Sequence, residues 1–459
     1  MPSVYFKTLG CKVNSFDSDA LSHGFHEAGY DGKPTVGDAD VVVVNTCSVT
    51  AKADREARYL ARRIKRENPA AFVVFTGCYA QTDAAALLAL DDIDLVIPNE
   101  SKEELVSLVG DALSSRNRGE KPMRFPADRQ PVAKNRQSHF KSATVLFGDT
   151  SSTRTRAFLK IQDGCDGFCS YCLIPYARGA SRSVPADDVK QACRTLVEGG
   201  VREIVFTGIH IGDYGQTSSD EQGAPIAALL ADILEEHPQL RIRISSLEPS
   251  EVTPELLAVL TEYRDQICDH FHLPLQSGDA DILTRMRRTY SPEEYAETVR
   301  ALRERFPHAS IGADVIPGFP GETAVQHENT MDFIRQCELS YLHVFPYSKR
   351  PQTAAARMPD HIDGNVVKQR AADLRELSRE LHHRFVKTYV GTEQQVLWLD
   401  DRDDVGRRRG LTTNYLDVVT GADREPGSLE NARLLGLVAQ GVLLGLPQNP
   451  SDSRQIELG

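Results

Sequence analysis

Three cysteines in one short run constrain this chain more than any other feature. Cys165, Cys169 and Cys172 lie in the segment Asp-Gly-Cys-Asp-Gly-Phe-Cys-Ser-Tyr-Cys, with Cys-x3-Cys-x2-Cys spacing. A 4Fe–4S cube needs four ligands, so three thiolates leave one iron open for a substrate or cofactor. A closed cluster would need a fourth cysteine nearby, and the next one, Cys193, lies in a helix-like segment. The run therefore predicts cluster chemistry on a bound ligand.

The cysteine content indicates a reducing compartment. Nine cysteines are an odd number, which would leave one unpaired in a secreted disulfide protein, and their clustered spacing suits metal ligation instead. The N-terminus lacks a basic region followed by an apolar core, so no signal peptide is evident. No apolar run approaches the roughly 20 residues that a membrane helix requires. These features predict a cytoplasmic protein with no membrane segment.

Three N-terminal segments repeat one pattern, in which a β-rich run is followed by a short polar turn and a cysteine. They are Val4 to Cys11, Val41 to Cys47 and Phe72 to Cys78. Helix-like stretches separate them, which predicts a parallel α/β sheet, and ligands gather at the carboxyl ends of such strands. A single cysteine of this kind is more often a small buried hydrophobe. Three at equivalent strand ends favour a second three-thiolate cluster, on Cys11, Cys47 and Cys78.

A low-order stretch from about Arg116 to Thr155 is rich in Arg, Lys, Ser, Pro and Gln and indicates a domain boundary. Its first part, residues 116–136, holds seven basic and two acidic residues. This part is either a solvated linker or a stretch that contacts phosphates. The net charge of −12 argues mildly against nucleic-acid binding, but a local basic surface is what counts.

Strand-then-helix units follow the boundary. The predicted strands are Ala157–Gln162, Glu203–Thr207, Arg241–Ser245, Phe271–Leu275, Ile311–Ile316 and Tyr341–Phe345. The predicted helices between them are Ala186–Glu198, Pro225–His237, Pro254–Tyr263, Pro292–Arg305 and Glu322–Gln336. Six such units predict a partial (β/α)6 barrel, with the Cys165–Cys172 loop after its first strand, where a barrel active site lies.

The strand-helix alternation stops near the end of the chain. A charged amphipathic helix is predicted from Asn365 to Val390, and short β-rich runs follow Gly391. Those runs are Gln395–Leu399, Leu416–Thr420 and Leu434–Leu446. The prediction for the whole chain is an α/β protein with an N-terminal parallel sheet domain, a partial barrel and a small C-terminal β-barrel.

The cysteine run, with Tyr171 before its last member and a partial barrel around it, resembles radical S-adenosylmethionine (SAM) enzymes. The three-cysteine domain in front and the β-barrel behind narrow the resemblance to the methylthiotransferases. Their order is an auxiliary-cluster domain, a radical SAM barrel and a TRAM RNA-binding module. The expected boundaries are 1–115 for the first domain, 116–150 for a basic linker, 151–390 for the barrel and 391–459 for the TRAM-like domain.

Four motifs resemble the branch of that family that acts on threonylcarbamoyladenosine (t6A) in tRNA. The isopentenyladenosine branch usually starts Tyr-Gly-Cys-Gln-Met-Asn and the ribosomal-protein branch Leu-Gly-Cys-x-Lys-Asn. Lys12 and Val13 match neither start well. The motifs are Thr8-Leu-Gly-Cys-Lys-Val-Asn14, Ile174-Pro-Tyr-Ala-Arg-Gly179, His272-Leu-Pro-Leu-Gln-Ser-Gly278 and His343-Val-Phe-Pro-Tyr-Ser-Lys-Arg350.

The resemblance implies two 4Fe–4S clusters and SAM as cofactors. The cluster on the Cys165 run would cleave one SAM to methionine and a 5′-deoxyadenosyl radical, which abstracts hydrogen from C2 of the adenine at position 37. The cluster on Cys11, Cys47 and Cys78 would deliver sulfur, and a second SAM the methyl group. The implied partners are tRNA, an electron donor such as flavodoxin or ferredoxin, and an unknown sulfur donor. No catalytic residue beyond the cluster ligands is implied.

Further contacts to SAM follow from the resemblance alone. They are Tyr171, Thr207, Gly208, Glu248, Gln276 and Asp314, most of them at strand ends of the barrel. For each, the alternative is a cap or turn residue. Cys193, Cys268 and Cys337 share no spacing and are expected in the core.

The last module departs from the family pattern. Residues 391–459 hold seven basic and eleven acidic residues, where an RNA-binding module would be basic. Arg407, Arg408 and Arg409, with Tyr415 as a stacking face, are the residues expected to contact RNA.

Three alternatives remain open at this point. The same chemistry suits isopentenyladenosine tRNA or a ribosomal-protein aspartate. A non-catalytic iron–sulfur RNA-binding protein would hold both clusters without cleaving SAM. A generic radical SAM enzyme would keep Cys11, Cys47 and Cys78 as merely structural residues.

Overall fold

A computed structural model of the chain describes residues 1–120, 124, 155–215, 225–439 and 441–447. Most of the expected basic linker, 116–150, therefore lies outside the described residues, as does the end of the expected TRAM-like domain after residue 447. Within the described parts, no helix has the length and apolar character needed to cross a membrane.

The N-terminal domain is a parallel sheet of five strands in the order β2-β1-β3-β4-β5. The strands are β1 Ser3–Thr8, β2 Asp31–Gly32, β3 Val41–Thr46, β4 Phe72–Gly77 and β5 Leu95–Pro98. The helices are α1 Lys12–Glu27, α2 Ala51–Glu67, α3 Cys78–Thr82, α4 Ala84–Leu88 and α5 Leu105–Asn117. In β3, Val42 and Val44 pack in one apolar core and Val41 and Val43 in another. The sheet is therefore covered on both faces, which explains the continuous apolar runs.

The middle domain is the predicted partial barrel. Its six long parallel strands form two sheets, β10-β9-β6 and β11-β12-β13, linked by a bridge between Ile242 and Ile267. The strands are β6 Arg156–Lys160, β7 Gln162–Asp163, β8 Arg182–Ser183, β9 Glu203–Thr207, β10 Arg241–Ile244, β11 His270–His272, β12 Ser310–Val315 and β13 Tyr341–Val344. The two short ones, β7 and β8, pair with each other. The predicted strands are thus confirmed, with ends shifted by a few residues.

The helices of this domain surround the strands. They are α6 Ile174–Arg178, α7 Ala186–Glu198, α8 Pro225–Glu236, α9 Pro254–Glu262, α10 Ala280–Met286, α11 Pro292–Arg305, α12 Ala324–Gln336 and α13 Gly364–Lys387. Two of them, α7 and α11, have the predicted bounds. In α11 the reason is local: Ser291 and Glu294 form a reciprocal capping box and Pro292 occupies the first turn.

The C-terminal domain is a closed barrel of five strands in the order β14-β15-β16-β18-β17. They are β14 Glu393–Arg402, β15 Arg408–Thr412, β16 Asp417–Thr420, β17 Leu429–Ala439 and β18 Val442–Pro447. The predicted small β-barrel is confirmed. The β-rich run Leu434–Leu446 falls in the hairpin of β17 and β18, and Gly441 adopts a φ of 77° at its turn. The segment from Arg408 to Thr412, which the sequence pattern did not predict as a strand, is strand β15.

Candidate active site

A large cavity lies where the three domains meet. Its volume is about 1100 Å³, and residues from all three domains form its wall. The carboxyl ends of the parallel strands of both α/β domains face it, as expected for such sheets. The wall includes Cys11, Lys12, Cys47, Cys78, Cys172, Thr207, Gln276, Asp314, His343 and Tyr415.

The N-terminal triad, Cys11, Cys47 and Cys78, lies at the ends of the adjacent strands β1, β3 and β4. Glycines make this convergence possible. Gly10 has a φ of 106°, and a Cβ there would lie 2.7 Å from the Cβ of Cys47. Gly77 has a φ of 98°, and a Cβ there would lie 2.4 Å from a backbone oxygen. The Gly-Cys pairs are therefore a sequence signal for close approach of the thiols.

The barrel triad, Cys165, Cys169 and Cys172, lies in the loop between β7 and α6. Each sulfur has a nitrogen donor nearby. The backbone N–H of Gly167 donates to Sγ of Cys165 at 3.3 Å and that of Ile174 donates to Sγ of Cys172 at 3.4 Å. The guanidinium of Arg288 donates to Sγ of Cys169 at 3.2 Å. These donors suit thiolates, which are the metal-binding form of cysteine.

Both triads fit an iron–sulfur cluster. Burial raises the pKa of Cys47 and of Cys172 to about 12, so their thiolates need a positive metal centre for compensation. Among the described residues neither triad has all three sulfurs within 4.8 Å of one another, which is too open for a single ion. A four-iron cube is larger, and it prefers thiolate ligands.

A buried ion-pair network fixes one triad relative to the other. Arg178 donates to both carboxylate oxygens of Asp163, at 3.0 and 2.9 Å, two residues before Cys165. Its other nitrogen donates to Asn14 at 2.6 Å and to Asp17 at 3.1 Å, in the helix that follows Cys11. Asp17 also accepts from Lys160 at 2.6 Å. The network thus joins α1 to the start of the barrel.

The cations of this network outnumber its two carboxylates, Asp17 and Asp163, and most of its members are buried. Burial by itself raises the pKa of Asp17, but Lys102 and Lys160 outweigh that effect and hold it well below its usual range. Both carboxylates are therefore ionised, and each faces more than one cation. Such networks stabilise only when every member is paired.

The N-terminal domain also contacts the segment after the last strand of the barrel. After β13, Arg350 donates to Ser48 at 3.0 Å and to Asp54 at 2.5 Å, while Ser348 accepts from the backbone N–H of Ala51 at 2.9 Å. Since Lys160 lies in β6, the domain is held at both edges of the open barrel. The N-terminal triad is therefore held over the carboxyl ends of the barrel strands.

The residues expected to contact SAM take two different positions. Tyr171, Thr207, Gly208, Gln276 and Asp314 lie in the cavity wall. Glu248 instead pairs with Arg288 and shares a capping box with Glu251. Their roles toward SAM stay predictions.

Sequence reasoning missed several polar residues beside the triads. Arg288 contacts Cys169, and His210 lies 3.8 Å from Sγ of Cys165 while pairing with Asp213 and Glu251 at 2.8 and 2.6 Å. Neither residue belongs to a spacing motif. A signal did exist for His272 and His343, which begin two of the four family motifs at strand ends. Both contact Asp314 in the cavity, at 2.9 and 3.3 Å.

The four residues expected to contact RNA have different surroundings. Arg408 is buried and pairs with Asp400 at 3.3 Å. Arg407 pairs with Asp403 at 2.7 Å and Arg409 with Asp401 at 3.2 Å. Tyr415 faces the cavity, where its ring stacks on His270 with centroids 4.4 Å apart. Acidic neighbours thus take up the charge of the arginine run, and its role in RNA binding stays a prediction.

The fold and the two triads define a radical SAM methylthiotransferase. Residues 159–334 match the Radical SAM superfamily, and residues 3–98 match the Uncharacterized protein family UPF0004. The threonylcarbamoyladenosine tRNA methylthiotransferase MtaB of Bacillus subtilis is 38% identical over 95% of this chain and 94% of its own length. The MtaB protein of Aquifex aeolicus is 37% identical over 93% and 98%. The chain belongs to the MtaB family of methylthiotransferases.

Two further comparisons bear on substrate and fold. A tRNA-2-methylthio-N(6)-dimethylallyladenosine synthase of Syntrophotalea carbinolica is 32% identical over 86% of this chain and 88% of its own length. Among solved structures, the radical SAM methyltransferase TsrM from Kitasatospora setae is 17% identical, with a TM-score of 0.55 over 77% of each chain. This likeness shows the radical SAM fold.

Proposed function

We propose that this enzyme adds a methylthio group to C2 of N6-threonylcarbamoyladenosine at position 37 of tRNA. The observation that carries the proposal is one cavity whose wall holds all three cysteines of the N-terminal triad and Cys172 of the barrel triad, from two different domains. A radical that attacks an unactivated C–H bond and a sulfur that replaces the hydrogen must both reach one atom. The substrate assignment follows the relatives named for threonylcarbamoyladenosine tRNA.

The cofactors are SAM and two 4Fe–4S clusters, which when bound supply the radical, the sulfur and the methyl group. The protein's own residues hold and orient them. Cys11, Cys47 and Cys78 would hold one cluster and Cys165, Cys169 and Cys172 the other. Arg288 holds Cys169 by a hydrogen bond, and Thr207, Gly208, Gln276, Asp314 and Tyr171 would line the place of SAM.

The partners and domain boundaries are proposals of the same kind. An electron donor such as flavodoxin or ferredoxin would reduce the cluster on the barrel triad, and a sulfur donor of unknown identity would replenish the other. A tRNA substrate places the enzyme in the cytoplasm. The proposed domains are 1–115, 151–390 and 391–459, with a basic linker at 116–150.

The proposal predicts a specific product. Purified enzyme with both clusters reconstituted anaerobically is incubated with SAM, a reductant and tRNA that carries either t6A or isopentenyladenosine at position 37. Nucleoside mass spectrometry is expected to show 2-methylthio-t6A and no methylthiolated isopentenyladenosine. Product from isopentenyladenosine alone would contradict the substrate assignment. SAM consumption without a methylthiolated nucleoside would contradict the reaction.

The C-terminal barrel offers a second test, by salt dependence. If Arg407 and Arg409 bind phosphates, replacing both with glutamine weakens tRNA binding. The plot of the logarithm of the association constant against the logarithm of the salt concentration, which falls with salt, then becomes less steep by about 0.7–0.9 for each phosphate that is no longer neutralised. Arg408 is left intact because it is buried. Arg402→Gln is the matched control, since Arg402 is an exposed arginine of the same barrel that also pairs with an aspartate. An unchanged slope for the double variant rejects the RNA-binding role.

A further inference from the structure

A buried cluster with more positive than negative charge lies beside the cavity wall. Glu203 is fully buried, and three arginines surround it: Arg241 at 2.7 Å, Arg243 at 3.0 Å and Arg156 at 3.8 Å. These arginines already saturate the carboxylate. A fourth cation, Lys12, comes from the N-terminal domain and lies in the cavity wall itself.

Lys12 is the cation of this group without an anion. It has no hydrogen bond or ion pair to an acidic side chain within the described part of the chain, and its Nζ lies 6.0 Å from the ring centroid of Tyr415. A half-buried cation beside other cations is costly unless an anion arrives.

Tyr415 lies in the cavity wall between Lys12 and the buried arginines. It reaches the cavity from the C-terminal barrel, with Arg243 at 4.8 Å and Arg156 at 5.8 Å from its ring centroid. Its φ is 67°, in the left-handed region that a bulky side chain rarely adopts. Such strain is commonly retained where a side chain serves a ligand. Burial raises the pKa of Tyr415, but Arg156 and Lys12 outweigh that effect and lower it.

The position of Lys12 restricts which anion fits. Lys12 directly follows Cys11 of the N-terminal triad, so its side chain starts beside the sulfur-donating side of the cavity. In adenine, C2 and the carbon that carries N6 are the two neighbours of N1. A group on N6 therefore reaches toward the same side of the base as C2. The N6-threonylcarbamoyl group ends in a carboxylate and a hydroxyl, whereas an isopentenyl group is apolar.

We propose that Lys12, assisted by Tyr415, binds the threonyl carboxylate of the substrate nucleoside and so selects t6A over adenosines with an uncharged N6. This inference rests on the proposed function and adds the residues that determine its specificity. A charge-assisted hydrogen bond from a half-buried lysine contributes enough to discriminate between substrates. Lys12 would also suit a backbone phosphate of the tRNA, and the experiment must distinguish these two anions.

The test compares two anticodon stem-loops of one sequence, with t6A or plain adenosine at position 37. Binding to the holoenzyme is measured by fluorescence anisotropy. Wild-type enzyme is expected to bind the t6A stem-loop roughly 10- to 100-fold more tightly, the range of one hydrogen bond to a charged group. Lys12→Met is expected to bring that ratio close to one by weakening t6A binding alone, and Lys12→Arg to preserve most of it. Lys7→Met, at an exposed lysine on β1, is the matched control and keeps the wild-type ratio.

Each other outcome overturns the inference. Equal weakening of both stem-loops by Lys12→Met would assign Lys12 to a phosphate, and an unchanged ratio would place carboxylate recognition elsewhere. Iron content and the cluster absorbance of the variants show whether the neighbouring Cys11 still binds its cluster. Conversion of t6A tRNA by the wild-type enzyme is measured separately. Failure of the Lys12 prediction can therefore be distinguished from failure of the proposed function.

Discussion

Replacing Cys11, Cys47 and Cys78 together with alanine is expected to abolish methylthiolation while leaving SAM cleavage to 5′-deoxyadenosine. The reason is that the N-terminal triad lies on a different domain from the barrel triad, whose three cysteines all belong to one loop. Loss of one cluster should therefore lower the iron content from about eight to about four per chain. Replacing Cys165, Cys169 and Cys172 should abolish both reactions.

The measurements are iron content, 5′-deoxyadenosine by chromatography and methylthiolated nucleoside by mass spectrometry, all under anaerobic conditions. Cys193→Ala is the matched control, because Cys193 is buried in the barrel core and lies in helix α7. It should keep both reactions. If the triple variant of the N-terminal triad still made a methylthiolated nucleoside, those three cysteines would be merely structural.

Replacing Arg178 with alanine is expected to be the most damaging change outside the six cysteines. It leaves Asp17 and Asp163 buried with one fewer cation each. Removing one partner of a buried pair costs about 3–5 kcal/mol of unfolding free energy. The same change cuts the link between α1 and the barrel triad, so methylthiolation should fall further than SAM cleavage. Thermal unfolding and the ratio of the two products measure these effects.

Two variants keep this prediction testable if Arg178→Ala does not fold. Asn14→Ala removes a neutral partner of Arg178 and the Asn14 hydrogen bonds to the backbone oxygens of Leu9 and Thr46, and should cost about 2–4 kcal/mol. It still loosens the link between the domains, and the product ratio should shift in the same direction. Arg194→Ala is the control, since Arg194 pairs with Glu236 on the exposed surface of the barrel helices. A product ratio that is equal in Asn14→Ala and wild type would show that the network stabilises the fold without positioning the triads.

Most of the fold followed from local patterns. The continuous apolar runs of β3 and β4 predicted a sheet covered on both faces, and the strand-helix alternation predicted the partial barrel. The strands of the C-terminal barrel were harder to predict, because β15 begins with arginines, and a run of arginines is typical of a solvent-exposed segment. Its Arg408 is buried by pairing with Asp400 on the neighbouring strand β14. Cross-strand ion pairing of this kind has no period that a single sequence reveals.

The sequence by itself predicted the six cysteines as cluster ligands, because each triad depends on short spacings or on repeated strand ends. Only the tertiary structure decided what surrounds them. Arg178 joins two domains, and Lys12 and Arg243 both lie near the ring of Tyr415, although these three residues are far apart in the chain. Buried charges of this kind become meaningful only after packing excludes water and brings partners together. Local spacing therefore determined the chemistry, and contacts between domains decided the positioning and selectivity.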